Sequence, residues 1–219
     1  MSILFVLLMF LLVISVRHFM EPKVQPGLEP ELMLKAPTPL VKREYGFEIP
    51  QGYGFHLGHT WVMQEGTEDA RVGVDKFVTG LMGKIDRIEV RGADRWVRQG
   101  QKLITLSGGG ASIDLLSPVE GVVTAVNNDA LREPGLVTDD PYQHGWIAMV
   151  KSPDLKVNQK NLIQGPMVGP WMQNNVSRLS AMLAPSPVLA QDGGHPISGL
   201  LPRLTPELRD KVVKEFFLS

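Results

Sequence analysis

Three consecutive glycines, Gly108, Gly109 and Gly110, are the first place to look for chemistry, because backbone N–H groups without side chains around them can cradle an anion. Phosphate-binding glycine loops open onto a helix and carry G-K-[ST], whereas the residues that follow here, A-S-I-D-L-L, read as a strand. The run is then a hairpin tip where glycine tolerates positive φ. A close fit against a partner that a side chain would obstruct is compatible with the same residues. Elsewhere the chemical repertoire is thin. His18, His56, His59, His144 and His195 show no metal-ligand spacing, and His56 and His59, beside Gly54 and Gly58, suit a strand or loop better than a helical metal pair. The chain has no cysteine, which excludes disulfides, thiolate nucleophiles and cysteine-ligated metal. No nucleophile with a paired base and no carboxylate pair stands out, so the sequence names no catalytic residue and no metal ligand and is read as a non-enzyme.

The elements that would position the glycine tip form one head with appendages. Within 219 residues, 43% hydrophobic and 21% charged with a formal net charge of -1, the composition is globular and gives no electrostatic reason for a nucleic-acid partner. Residues 3–16, ILFVLLMFLLVISV, extend to 20 if Arg17 and His18 reach lipid headgroups, so residues 1–20 are expected to be a transmembrane anchor. A cleaved signal peptide is the rival. Against it, no basic residue precedes the run, no small-residue cleavage pattern follows, and Arg17 comes directly after. Arg17, Lys23 and Lys35 on the C-terminal side place the head on the cytoplasmic face of the cell membrane by the positive-inside rule.

Residues 21–50 carry Pro22, Pro26, Pro30, Pro37, Pro39 and Pro50 and read as an extended spacer. The head, residues 51–155, alternates short β-prone runs with turn signals. TWVMQ (60–64) and ARVGV (70–74) make a hairpin around EGTED; Asp75 caps a short helix that Gly83 ends; strands follow at 84–90, 102–106, 113–116 and 121–126. This spacing predicts a mainly β sandwich or flattened barrel. A helical extension is expected over 156–184, where Met172, Val176, Leu179 and Leu183 form a stripe from near Pro170 until Pro185. A Pro/Gly-rich loop spans 185–203, and an amphipathic helix spans 204–219, with Thr205-Pro206-Glu207 as its start. Either helix could cover an open side of the head. The last one, set apart by the loop, also suits docking into another protein.

Four pieces of the head resemble the H protein of the glycine cleavage system, in that family's order and spacing: H-T-W-V (59–62), V-G-V-D-K-F-V-T-G-L-M-G-K-I (72–85), S-P-V-E-G-V-V-T-A-V-N (117–127) and P-G-L-V-T-D-D-P-Y-Q-H-G-W-I (134–147). The resemblance covers about residues 52–151 and implies a single-hybrid (barrel-sandwich hybrid) β fold, together with the role of a lipoyl carrier that shuttles an aminomethyl group between enzymes. The family attaches lipoate to the lysine of E-S-V-K-A-x-S-D-L-x-S-P, seven residues before the serine of S-P. That position is Gly110 here. Ala111, Asp114, Leu115, Ser117 and Pro118 match the family, and Ser107 replaces its glutamate. Lys102, the nearest lysine before the turn, precedes the strand.

The expectation is therefore no lipoyl cofactor: a membrane-tethered scaffold or interaction module with an H-protein-like head, bound to protein partners that could include a redox or lipoate-handling complex. The alternative is active carriage of an aminomethyl group by a lipoyl arm.

Overall fold

Runs of β-branched and aromatic residues, broken by glycine, proline or aspartate, dictate short strands. Twelve form among the residues that the computed structural model describes, 41–44, 47–183 and 199–217. A hairpin of β1 (Val41–Glu44) and β2 (Phe47–Pro50) comes first. An antiparallel sheet of seven strands follows the order β12-β3-β4-β5-β11-β10-β7, built from β3 (Tyr53–Phe55), β4 (Thr60–Gln64), β5 (Asp69–Val74), β7 (Trp96–Val97), β10 (Gly121–Val126), β11 (Ala148–Lys151) and β12 (Ile163–Gln164). The other sheet runs β6-β8-β9, from β6 (Arg87–Val90), β8 (Lys102–Gly108) and β9 (Ala111–Leu116).

Val62, Val72, Val123 and Val150 of the large sheet and Ile88, Ile104, Leu106, Ile113 and Leu115 of the small one are buried in a common core. Each such side chain contributes about 1.5–3 kcal/mol by leaving water. The result is a mainly β barrel-sandwich with C-terminal helices.

One packing requirement is visible in the β4–β5 pairing. Trp61 stands opposite Gly73, and a Cβ on Gly73 would come within 2.4 Å of the indole ring. Glycine at that position lets the indole lie flat across the neighbouring strand, where its Nε1 donates to the Val74 carbonyl at 2.9 Å. Next, α1 (Lys76–Met82) starts as its sequence dictates: Asp75 accepts from the Phe77 and Val78 N–H groups, and Gly83, at φ 69°, ends the helix. Short helices α2 (Asn128–Arg132), α3 (Gly135–Asp139) and α4 (Leu155–Gln159) join the later strands.

Several expectations change. Residues 41–44 and 47–50, which the proline content of 21–50 places in the spacer, pair as a hairpin instead, and Ile49 is buried in the core. The strand expected over 84–90 begins at Arg87. Residues 156–184 are not wholly helical, because Ile163 and Gln164 pair with β3 and extend the large sheet. Beyond them α5 (Val168–Leu183) buries Met172, Leu179 and Leu183 of the predicted stripe, with Val176 partly covered.

The last helix, α6 (Pro206–Phe217), is capped by the Thr205 hydroxyl, which accepts from the Leu208 N–H. Docking of its apolar face into another protein gives way to packing on the head: Val212, Phe216 and Phe217 are buried in the core. An amphipathic face finds the nearest complementary apolar surface, and here it belongs to the same chain.

No helix among the described residues is long and apolar enough to cross a membrane. The anchor expected over 1–20 lies outside them, as do most of the spacer and of the loop at 185–203.

Phe217→Ala should destabilise the head by about 3–5 kcal/mol, read as a lower urea midpoint. Leu57→Ala, at a side chain 58% exposed, should change stability by less than about 0.5 kcal/mol. Equal midpoints for the two variants would mean that α6 is not part of the folded head.

Candidate functional site

The β8–β9 hairpin turns in two residues. Gly108 pairs with Ala111, and Gly109 and Gly110 between them have φ of 57° and 80°. Positive φ at both central positions is the type I′ geometry that matches strand twist and that glycine adopts without steric cost. The strands thus run further than the sequence suggested, to Gly108 on one side and from Ala111 on the other, and only Gly109 and Gly110 form the turn. Gly108 has its own constraint, since a Cβ there would fall 2.0 Å from the Lys84 carbonyl oxygen.

The turn is held from two directions. From the segment after α1, Asp86 accepts from the Gly109 N–H at 3.2 Å through one carboxylate oxygen and binds Lys84 Nζ at 2.9 Å through the other. The hydrogen bond from Lys84, followed by that from Gly109, holds the Asp86 carboxyl below the usual carboxylate range. From the C-terminal segment, Pro202 packs so closely that a Cβ on Gly109 would lie 2.9 Å from its ring.

Arg209 of α6 completes the cover. Its guanidinium donates to the carbonyls of Gly110 (3.2 Å), Leu201 (3.2 Å), Pro202 (3.3 Å) and Leu204 (3.3 Å). A planar fork of five donors suits such a cluster of acceptors, and one side chain ties the 3-10 turn Leu201–Arg203 to the hairpin. Lys84, Asp86, Pro202 and Arg209 were not singled out from the sequence. Their partners lie 23 residues away for Asp86 and 99 for Arg209, and no local pattern encodes such a distance.

Lysines near the tip are placed differently from their order in the chain. Lys102, nearest before the turn in sequence, pairs with Leu116 at the base of the hairpin and binds Asp114 at 2.6 Å. Burial raises the Asp114 carboxyl, but hydrogen bonds from Lys102 and Thr105 outweigh it and leave the group below its ordinary value. Lys84 is the lysine beside the tip, and its side chain is 87% exposed.

A second constellation lies inside the head. His59 Nδ1 and Asp75 Oδ2 are 2.7 Å apart with both side chains fully buried, and His59 adopts φ 65°. Its ring stacks between Phe77 (4.2 Å) and Trp171 (4.8 Å), and Phe217 meets it edge-on at 6.1 Å. A His–Asp pair can serve a general base, but no solute reaches this one without unpacking the aromatic rings around it. Beside it His56 Nδ1 accepts from the Gly58 N–H at 3.1 Å, and burial, followed by the nearby His59, holds the His56 imidazole below its ordinary value.

Comparison with known proteins bears on the whole head. A sequence profile described as Glycine cleavage H-protein matches residues 54–173. The glycine cleavage system H protein of Aliivibrio salmonicida is 31% identical over 111 residues, covering 51% of this chain and 87% of that protein. That of Mycobacterium avium is 31% identical over 107 residues, 49% of this chain and 81% of its own. The crystal structure of a glycine cleavage system H protein from Mycobacterium marinum aligns with a TM-score of 0.49 at 19% identity, over 58% of this chain and 98% of that one.

Replacing Arg209 with Met should leave carbonyls of the tip and the 3-10 turn without their donor, at a cost of about 1–3 kcal/mol. Amide hydrogen exchange at Gly109, Leu208 and Arg209, whose N–H groups are hydrogen-bonded, should then accelerate about tenfold or more. Unchanged exchange would show that the guanidinium does not hold the cover.

Proposed function

The chain belongs to the glycine cleavage H-protein family, and from that premise we propose that it is a non-catalytic, membrane-tethered interaction module whose head is not lipoylated. The observation that carries this reading is the tip itself. An amide-linked arm needs a primary amine projecting from the turn. Counting back from Ser117 puts Gly110 at the family's lysine position, with a backbone φ of 80° that L side chains rarely adopt. Pro202 and Arg209 occupy the other side of the same turn. A Cβ at Gly110 would meet open space, so what does not fit an attached arm is the missing amine and the left-handed backbone of that residue.

The tether is the apolar run at 3–16, and the charges at Arg17, Lys23 and Lys35 put the head on the cytoplasmic side of the cell membrane. The partners are proteins, and the family name of the relatives makes the glycine cleavage components or another lipoate-handling complex the first class to try. A scaffold of this kind keeps a carrier's fold, since fold and function separate readily.

The names of the relatives favour a second reading, a lipoyl-type carrier. Among the described lysines, its amine would be that of Lys84, which stands exposed beside the tip.

The intact mass of the full chain, purified from a host supplied with lipoate, separates the two. The expected result is the unmodified mass with residues 1–20 still present. A lipoyl increment mapping to Lys84 would establish the carrier reading, and loss of the N-terminal residues would replace the tether with a cleaved signal. Gly110→Lys should remain largely unmodified and should cost about 1–2 kcal/mol of stability for the left-handed residue; efficient lipoylation of that variant would show that the modifying enzyme tolerates both the strained turn and Ser107. Deleting residues 1–20 should release the head into the soluble fraction as a folded β protein. Retention at the membrane after the deletion would mean that another segment anchors the chain.

A further inference from the structure

The connection between the two sheets carries a surface that the proposed function does not use. Residues 91–96, the connection from β6 together with the first residue of the end strand β7, are all exposed. Arg91 and Arg95 lie within this run and Arg98 just beyond it, with Asp94 as its one acid. Trp96, the first residue of β7, is 49% exposed, Val97 after it is buried in the core, and Arg98, just past the strand, is exposed again. Arg87 nearby is already paired with Glu89. The guanidinium groups of Arg91, Arg95 and Arg98 have no hydrogen-bond or ion-pair partner among the described residues. The backbone of the loop is fixed: Asp94 holds φ 60°, its N–H donates to the Val123 carbonyl at 2.8 Å, and the Arg95 carbonyl accepts from the Val123 N–H at 3.0 Å.

We propose that this loop, through Arg91, Arg95, Trp96 and Arg98, docks the head on an anionic lipid surface. Guanidinium forks match phosphate oxygens, and an indole with one apolar and one polar edge suits the headgroup boundary. A stretch of unpaired cations next to a half-exposed tryptophan on a rigid loop serves both at once. The choice of a bilayer over an acidic protein rests on the proposed tether at residues 3–16. A tethered head meets the membrane surface at a high effective concentration, and the 20 residues from 21 to 40 can span at most about 70 Å, well within reach of return to the bilayer.

Because the chain has no cysteine, Ala93→Cys gives a unique attachment point for an environment-sensitive fluorophore on the full-length protein. The labelled chain is reconstituted with vesicles of phosphatidylcholine alone and of phosphatidylcholine with a minority of phosphatidylglycerol, with brominated acyl chains as quencher. Quenching is expected only with the anionic vesicles. The docked-to-undocked ratio should fall about fivefold for each of Arg91→Gln, Arg95→Gln and Arg98→Gln, in line with about 1 kcal/mol per basic residue at an anionic surface, and these variants should keep the parent urea midpoint. If the chain floats with both vesicles but the probe ignores lipid charge, the surface is wrong and the tether stands. Failure to float with neutral vesicles, together with quenching by anionic ones, would sustain the surface and remove the tether. Binding to neither removes both, and a probe that answers soluble polyglutamate but no vesicle would assign the loop to an acidic protein and overturn the proposal.

Discussion

The buried carboxylate of Asp75 is the constraint on which the packing of the head turns. A carboxylate out of water must be met by donors or it costs several kcal/mol, and Asp75 meets three: the N–H groups of Phe77 and Val78 and the Nδ1 of His59. The first two start α1, and the third fixes the His59 ring. Once that ring is fixed, its two faces become packing surfaces for Phe77 and Trp171, and Phe216 and Phe217 close around it. One polar pair thus decides where α1, α5 and α6 attach to the sheets. Its members are 16 residues apart in the chain, and neither strand pairing nor helix capping alone would bring those aromatic groups together.

The placement of α6 carries through to the hairpin tip. With Phe216 and Phe217 seated in the core, Arg209 two turns earlier reaches the Gly110 carbonyl, and the preceding 3-10 turn lays Pro202 against Gly109. The tip accepts this cover because its turn residues have no side chains. A turn carrying a long side chain on φ near 80° would store strain, and a Cβ on Gly109 would collide with Pro202. The absence of a side chain at Gly109 and the packing of Pro202 against it therefore go together, whereas at Gly110, where a Cβ would meet open space, only the left-handed backbone disfavours a side chain.

Local signals in the sequence disclosed the elements governed by neighbours in the chain. Asp75 as a helix cap, Gly83 as its stop, the hairpin around EGTED and the apolar stripe of α5 depend on spacings of two to four residues. Elements held by distant partners were not legible. The β1–β2 hairpin sits in a proline-rich stretch whose composition argues for an extended chain, and β12 has two residues, too few for any periodicity. The cover of the tip was invisible for the same reason: Arg209 looks like one more exposed charge on an amphipathic helix until Gly110, 99 residues away, is placed beside it. The glycine run was conspicuous in sequence, but which of its three residues turn the chain was settled only by the pairing of Gly108 with Ala111.

These constraints also determine where a partner could meet the head. The tip is held on its Gly109 side by the chain's own Pro202 and at the Gly110 carbonyl by Arg209, while Gly109, Gly110 and the neighbouring Lys84 stay exposed; the His59–Asp75 pair is sealed by aromatic rings. Among the outward surfaces of the described residues are the polar face of the small sheet, where Thr105 bonds Asp114 and Ser107 meets Ser112, and the arginine-bearing segment from β6 to just past β7. On the sheet face the polar groups satisfy one another, which lowers what any partner gains by replacing those bonds. On that segment the guanidinium groups of Arg91 and Arg95 in the loop and of Arg98 just past β7 have no partner among the described residues, while the loop backbone at Asp94 and Arg95 is already hydrogen-bonded to Val123. An interaction made there would not have to order the backbone as well as the side chains, which lowers one of the costs of association for the proposed docking loop.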